Sequence, residues 1–129
     1  MDNAEEVRRG FEALSEGGVE ALLELVDEEF EFTTPPDMSA EPDTYRGHEG
    51  LRRYFDSFYD ATEEIRFEPQ QFIAVGERVV VPFRLTARGR TTGIEVEQRA
   101  VFVWEVRDGV AVGLKLFTDV EEATAAARS

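Results

Sequence analysis

The main change in the spacing of apolar residues along the chain is from a helical repeat to an alternating one at Ile65. Apolar side chains recur every three or four residues in 3–15, 19–26 and 48–62, and each segment is therefore predicted to be an amphipathic helix. From Ile65 onward apolar and polar residues alternate, which is typical of half-buried strands. The chain is thus predicted to place its helices first and most of its sheet second.

Turn residues bound the predicted strands. EFEFTTPP puts Phe30 and Phe32 on one face and ends at Pro35-Pro36. Four more strands are predicted within IRFEPQQFIAV, RVVVPFRLTAR, IEVEQRAVFVWEV and VAVGLKLFTD, and the Asp-Gly of RDG is a strong hairpin signal. VEEATAAARS is predicted to close the chain as a short, frayed helix. This order predicts one α+β domain over residues 1–129, with helices on one face of a curved sheet.

The net charge of −14 lies entirely in the first half of the chain. Residues 1–64 hold 19 acids against 5 arginines, whereas residues 65–129 hold 9 charges of each sign. Such a field repels phosphate, which argues against nucleic-acid partners and anionic membrane surfaces. No apolar run is long enough to span a bilayer and the N-terminus lacks a signal peptide's apolar stretch, so the cytoplasm is the expected compartment.

The chain has no cysteine and a single histidine, His48. Dedicated transition-metal sites need several nitrogen or sulfur ligands, so neither a metal site nor a bound cofactor is predicted. His48 follows Gly47 and precedes a helical pattern. We therefore expect it to cap the helix or to stabilise a turn.

Four segments carry a family resemblance: FEALSEGGVEALLELVDEEFEF, YRGHEGLRRYF, VWEVRDGVAV and FTDVEEATAAA. In this order they resemble the SnoaL-like polyketide cyclase family, within the larger cone-shaped fold of nuclear transport factor 2 and ketosteroid isomerase. The resemblance implies a single SnoaL-like domain whose strongly curved, mainly antiparallel sheet is covered by three helices from the first half. It also implies a small apolar molecule bound inside the cone, and in many members a homodimer formed through the outer sheet face.

The residues that perform isomerisation in the ketosteroid isomerase relatives are largely absent. The base position, just before the proline that ends the first strand, matches Thr34, which is not a base at neutral pH. The oxyanion tyrosine of the first helix matches Gly10, and the protonated acid of a later strand maps near Arg99. The resemblance therefore does not extend to ketosteroid isomerase chemistry.

Two residues remain as candidate bases. Epoxide hydrolase relatives use two aspartates bridged by an arginine, but no predicted strand here has an aspartate at an interior position. Asp37, in the loop after the first strand, is the best remaining candidate for a general base, and His48 is the other. For Asp37 the simpler expectation is a carboxylate that stabilises the turn after Pro35-Pro36.

Aromatic residues on the inward-facing stripes of the predicted helices and strands indicate a binding site more clearly than the candidate bases do. Most of them must form the core, but a cone sheet covered by three helices leaves room for an apolar cavity. Tyr45, Tyr54 and Arg99 are expected to supply hydrogen bonds there. The predicted ligand-binding residues are Phe11, Phe32, Thr34, Tyr45, Tyr54, Phe55, Phe58, Phe83, Arg99, Val101 and Phe117.

Trp104 is predicted to lie on the outer sheet face. It alternates with Val103 and so points away from the face that carries Val101 and Val103. A large aromatic on an outer face predicts a partner surface, and a homodimer is predicted around Trp104, Phe102 and the strand 110–118. The charge balance of the second half removes the repulsion that the acidic half would impose.

Three functions remain open. The first is a small-molecule-binding protein with an apolar pocket. The second is an acid–base enzyme (an isomerase, cyclase or hydrolase) acting on a polyketide-, steroid- or terpenoid-like substrate, with Asp37 or His48 as base. The third is a non-catalytic dimerisation module with a filled interior. A cavity of roughly 300 Å³ or more argues against the third, and an interior carboxyl with a raised pKa favours the second.

Overall fold

Secondary structure follows the predicted order with two differences: residues 44–46 form a strand that was not predicted, and IRFEPQQFIAV contributes to two strands and not one. The computed structural model describes residues 3–33 and 44–128, without the side chains of residues 44 and 57–61. The elements are α1 (Asn3–Leu23), β1 (Val26–Thr33), β2 (Thr44–Arg46), α2 (Gly47–Ala61), β3 (Thr62–Pro69), β4 (Ile73–Val75), β5 (Arg78–Gly89), β6 (Glu95–Arg107), β7 (Val110–Phe117) and α3 (Val120–Arg128).

All strands of the described segments belong to one seven-stranded sheet. Its order is β2-β1-β7-β6-β5-β3, with β4 also paired to β5. Only the β1–β7 pair is parallel among the strand pairs described, and register shifts interrupt the β1–β7, β3–β5 and β6–β7 ladders. Such bulges bend and twist strands, and the sheet is strongly curved and open. The predicted α+β cone is confirmed.

The β6–β7 hairpin turns as its Asp-Gly sequence predicts. Asp108 has φ 51° and Gly109 has φ 78°. Two successive positive φ angles define the type I′ turn that matches strand twist. The turn brings Val106 and Ala111 into register at the start of the ladder.

α1 is kinked at the predicted break. Gly18 has φ 73° and ψ −164°, a conformation that side chains disfavour, and the helix continues beyond it. The second helical segment ends at Leu23 and not at residue 26, because Val26 begins β1 and pairs with Ala111 of β7. Beyond the kink, the Glu20 carboxylate accepts bonds of 2.7 and 3.0 Å from the Arg52 guanidinium, which joins α1 to α2.

Both faces of the sheet are apolar at its centre. The inner face contacts α1 and α2 through one large cluster that includes Phe83, Phe102 and Trp104. The outer face carries a smaller cluster around Val101 and Val103. The prediction that Phe102 and Trp104 point outward is therefore wrong: they are 4% and 7% exposed within the inner cluster.

The C-terminal helix explains this reversal. Ala123 and Ala127 of α3 are buried against the outer cluster, and Arg78 donates a 3.3 Å bond to the Ala127 carbonyl. α3 is thus a docked helix, contrary to the frayed helix that was predicted. Because α3 covers the outer face, β6 needs apolar residues on both sides, and alternation alone cannot distinguish inside from outside.

A helix that spans a bilayer needs about 20 mostly apolar residues. None of the helices in the described segments is long and apolar enough to cross a membrane.

Candidate functional site

An aromatic cluster lines the inner face of the sheet in the described part of the cone. Phe102 lies at its centre and stacks on Phe83, with 4.2 Å between ring centroids and 13° between planes. Further rings surround Phe102 at centroid distances of 5.9–6.4 Å, namely those of Phe11, Phe32, Phe67 and Trp104. The rings pack against one another through offset and edge-to-face contacts, and the partly buried Phe67 offers a ring face on which a flat apolar molecule can stack.

Two tyrosines add hydroxyl groups to this cluster. The Tyr54 ring lies 4.6 Å from Phe32 and 5.3 Å from Tyr45, both edge-to-face. Burial raises the pKa of Tyr54 to about 12, and the nearby Tyr45 adds to the shift. Tyr54 therefore stays protonated at neutral pH and is able to donate a hydrogen bond. Arg53 covers the Tyr45 ring at 4.8 Å, on the side of α2.

The chemistry of the described core cluster is that of neutral groups. Its members are aliphatic and aromatic, and their only side-chain polar groups are Tyr and Trp hydroxyl and indole groups. It contains neither a carboxylate nor an imidazole. This arrangement favours binding of a neutral molecule and supplies no general base from the described part of the chain.

A groove between α1 and β3 leads to this cluster. It has a volume of about 450 Å³, within the usual range of small-molecule sites. Phe11 and Phe67, both members or neighbours of the core cluster, line it together with Leu14 and Ile65. Ser15, Arg66 and Glu68 supply its polar rim.

Three residues predicted to face the interior lie on the outer face. Val101 belongs to the outer cluster, Phe117 packs against it, and Arg99 has an 80% exposed side chain. Each has the opposite strand parity to Phe102, so their predicted interior placement is wrong. Arg99 and Val101 instead line a separate outer groove of about 500 Å³, next to the start of α3.

The outer groove is bordered by paired charges. Arg84 makes 2.7 Å contacts with the Glu68 carboxylate, and this hydrogen bond raises the pKa of Arg84. Glu97 lies 3.9 Å from Arg84 and 3.6 Å from Arg99. The arginines of this face are therefore matched by carboxylates, and the groove is not a strong anion site.

The remaining predicted binding residues lie where expected, or outside the described residues. Phe11, Phe32, Tyr45, Phe55 and Phe83 are buried in the core cluster, and Tyr54 packs against it. A ligand-binding role for them stays a prediction. Thr34 and Asp37 lie outside the described residues, as does the side chain of Phe58.

His48 holds α2 against β1. Its Nε2 lies 2.7 Å from the Val26 carbonyl oxygen, and since a carbonyl can only accept, Nε2 is the donor. The N-cap of α2 is Arg46, without a side-chain capping bond, so the prediction that His48 caps the helix is wrong. Its bond is a long-range tie between two elements.

We expect His48→Ala to lower the free energy of unfolding by about 1–2 kcal/mol, because the Val26 carbonyl loses its donor. His48→Gln retains an amide donor and should recover part of the loss. Urea denaturation measures both. A loss below about 0.5 kcal/mol for His48→Ala would show that the bond contributes little in solution.

Acidic residues do not gather into a metal site within the described segments. No group of three or more His, Asp or Glu side chains there is arranged to hold a metal ion. On the strands, carboxylates are matched to arginines, as in the contacts of Arg88 with Glu64 and Glu95 at 3.4 and 3.3 Å.

Sequence reasoning missed several interior rings, among them Phe67, Phe102 and Trp104. The C-terminal segment contains the pattern that indicates the inward orientation of Phe102 and Trp104. Ala123 and Ala127 are one helical turn apart, and a helix with this small apolar stripe needs an apolar surface to cover. Assigning that surface to Val101 and Val103 would have turned Phe102 and Trp104 inward.

Comparisons with known proteins agree with this fold. A family model described as a SnoaL-like domain matches residues 7–113. An NTF2-like protein of unknown function from Burkholderia pseudomallei is 25% identical, with a TM-score of 0.80 over 100% of both chains. An NTF2-like protein from Burkholderia xenovorans is 29% identical, with a TM-score of 0.73 over 98% of this chain and 95% of that one. TerC, co-crystallised with polyporic acid, shares the fold at 22% identity and a TM-score of 0.78, over 97% of each chain. No curated protein matches the chain significantly.

Proposed function

Because the chain belongs to the SnoaL-like domain family, we propose that it binds a flat, neutral, largely aromatic small molecule in the interior of its cone. The observation that carries this proposal is the groove of about 450 Å³ between α1 and β3, whose Phe11 and Phe67 rings lie 6.2 and 6.4 Å from that of Phe102. Tyr54, edge-to-face with Phe32 and Tyr45, adds a neutral phenol beside these rings.

The side chains of the interior also indicate the polar groups of the ligand. Tyr45 in the core cluster and Tyr54 packed against it carry hydroxyl donors. A ligand with carbonyl or ether oxygens would accept hydrogen bonds from such groups. A carboxylate ligand would be buried without a cation from this cluster, at a large desolvation cost. The proposed class is therefore neutral aromatic ketones and related acceptor-bearing molecules.

The route of entry follows from the groove between α1 and β3. Its volume of about 450 Å³ suits a molecule of two or three fused rings, and its lining includes Phe11 and Phe67. Phe67 lies 5.9 Å from Phe83 and 6.4 Å from Phe102, so a ligand in the groove is continuous with the cluster centre. The proposal assigns no turnover, because the described interior lacks a base.

A thermal-shift screen tests the proposal. Neutral polycyclic ketones should raise Tm by several degrees, since a ligand at a hundred times its Kd stabilises the native state by about 2.7 kcal/mol. Polyporic acid is included because TerC was co-crystallised with it. Matched carboxylate analogues are the control and should give smaller shifts. If only the charged analogues stabilise the protein, the neutral-ligand proposal is wrong.

The fluorescence of Trp104 gives an independent measurement of binding for the compounds of the same screen. Trp104 is the only tryptophan, and its ring lies 5.9 Å from Phe102. A ligand that enters the cluster should quench or shift its emission at the concentrations that raise Tm. A compound that raises Tm without changing the emission would bind elsewhere on the protein.

A second copy of the chain is proposed to dock on the part of the outer sheet face that α3 leaves uncovered, formed by β3, β5 and β6. This surface carries both signs of charge, with Arg84 and Arg99 beside Glu68 and Glu97. Val120, 45% exposed, lies at its border. A face of balanced charge can meet its own copy across a twofold axis without net repulsion.

Sedimentation equilibrium at micromolar concentration should give twice the chain mass of 14.6 kDa. Arg99→Glu places a third carboxylate beside Glu97 and Glu68 and should shift the protein toward monomer. Arg8→Glu makes the same charge change on α1, away from this face, and should leave the mass unchanged. A wild-type monomer at all concentrations would refute the dimer.

A further inference from the structure

A small cavity lies under α1, apart from the groove and the aromatic centre. Its volume is about 20 Å³, which is enough for one water molecule. Apolar residues of α1 and of the strands form most of its wall, among them Val7, Leu22 and Val106. Among the residues that the structure describes, the polar side chains that line it are those of Glu6 and Trp104.

The indole of Trp104 carries an unsatisfied donor. Trp104 is 7% exposed, and its Nε1 is fully buried with no hydrogen-bond partner among the described residues. Buried N–H groups in folded proteins are nearly always paired, either with the protein or with an ordered water. The cavity beside this indole is the place where such a partner can lie.

The second polar group is an unusually sheltered carboxylate. The Glu6 side chain is only 13% exposed, although its neighbour Glu5 on the same helical turn is 52% exposed. Glu6 contacts Arg9 at 3.4 Å through Oε1. The carboxylate accepts hydrogen bonds and the indole donates one, so a water between them satisfies both.

We propose that this cavity binds one ordered water, which accepts a hydrogen bond from Trp104 Nε1 and donates one to the Glu6 carboxylate. The water links α1 to β6 on the inner face of the sheet. It also fixes the orientation of the indole, which contacts Phe11, Phe30 and Phe102 at centroid distances of 5.9–6.2 Å. The site does not depend on the proposed ligand.

Nuclear magnetic resonance tests the water directly, because one tryptophan gives one indole N–H resonance. In the wild type, a cross-peak between this proton and the water frequency should have the sign of a long-lived, protein-bound water. The indole proton should also exchange slowly with solvent. Absence of the cross-peak in the folded protein would overturn the proposal. A direct hydrogen bond from the indole to Glu6, without a water, would give that result.

Three variants locate the partner of the water. Glu6→Gln keeps a hydrogen-bond acceptor and should preserve the cross-peak. Glu6→Met removes the acceptor and should abolish the cross-peak or speed the exchange of the indole proton at least tenfold. Glu5→Met is the matched control, because Glu5 also lies 3.7 Å from an arginine three residues on. It should leave the indole resonance unchanged. A cross-peak that persists in Glu6→Met would show that Glu6 does not hold the water.

Discussion

Replacing Phe102 by alanine is expected to destabilise the protein by about 3–5 kcal/mol, the range for large-to-small substitution of a buried aromatic residue. Phe102 is 4% exposed and stacks on Phe83 at 4.2 Å. Its removal opens a cavity between the sheet and α1 and deprives five neighbouring rings of a contact. Guanidinium denaturation measures the change.

Gln98→Ala is the matched control for Phe102. Gln98 lies on the same strand and by parity on the same face, but it is exposed near the hairpin tip. Its replacement should change the free energy of unfolding by less than about 0.5 kcal/mol. If Phe102→Ala behaved like Gln98→Ala in stability and instead altered the oligomeric state, Phe102 would lie on the outer surface, as strand parity alone had predicted.

Tyr54 is expected to make the protein lose stability at alkaline pH. Its folded pKa is about 12, above the value near 10 of the unfolded chain. Between these values the unfolded chain has released the phenol proton and the folded chain retains it, so rising pH favours unfolding. The contribution present below pH 10 should fall by about 1 kcal/mol at pH 11 and by about 3 kcal/mol well above pH 12.

Urea unfolding of the wild type and of Tyr54→Phe at pH 8 and pH 11 isolates this effect. The other ionising groups are common to both proteins, so the difference between their pH responses belongs to Tyr54. Tyr54→Phe should lose less stability than the wild type on going to pH 11. Equal losses in the two proteins would mean that Tyr54 titrates as it would in water and is not held in an apolar site.

The helical and alternating repeats predicted most of the fold because each element exposes one side to water. α2, for example, runs over Gly47–Ala61 against the predicted 48–62, with Leu51 and Phe55 buried. The predicted helix 19–26 extends three residues beyond the observed end of α1 at Leu23. Val26 fits the apolar stripe of a helix as well as it fits the first position of strand β1. Its pairing with Ala111 is a contact between distant segments that a local pattern does not contain.

The site was harder to predict because it depends on which face of β6 is inside. Phe11, Phe32, Tyr45, Phe55 and Phe83 were placed correctly in the interior, since their elements have a polar side. Residues 100–104 are apolar on both sides of β6, so which side faces the interior depends on where the last helix packs. Because α3 was predicted to be frayed, Phe102 and Trp104 were assigned to the outer face. His48 was misread for a similar reason: its partner, Val26, is 22 residues away.

Calorimetric titration of a ligand found in the screen tests most directly whether the binding site is the aromatic interior. Tyr54→Phe removes the proposed donor and should weaken binding about tenfold, the value of one hydrogen bond. Arg99→Ala alters only the outer groove and should leave Kd unchanged. The opposite result, with Kd weakened by Arg99→Ala and unchanged in Tyr54→Phe, would place the ligand on the outer face and contradict the assignment.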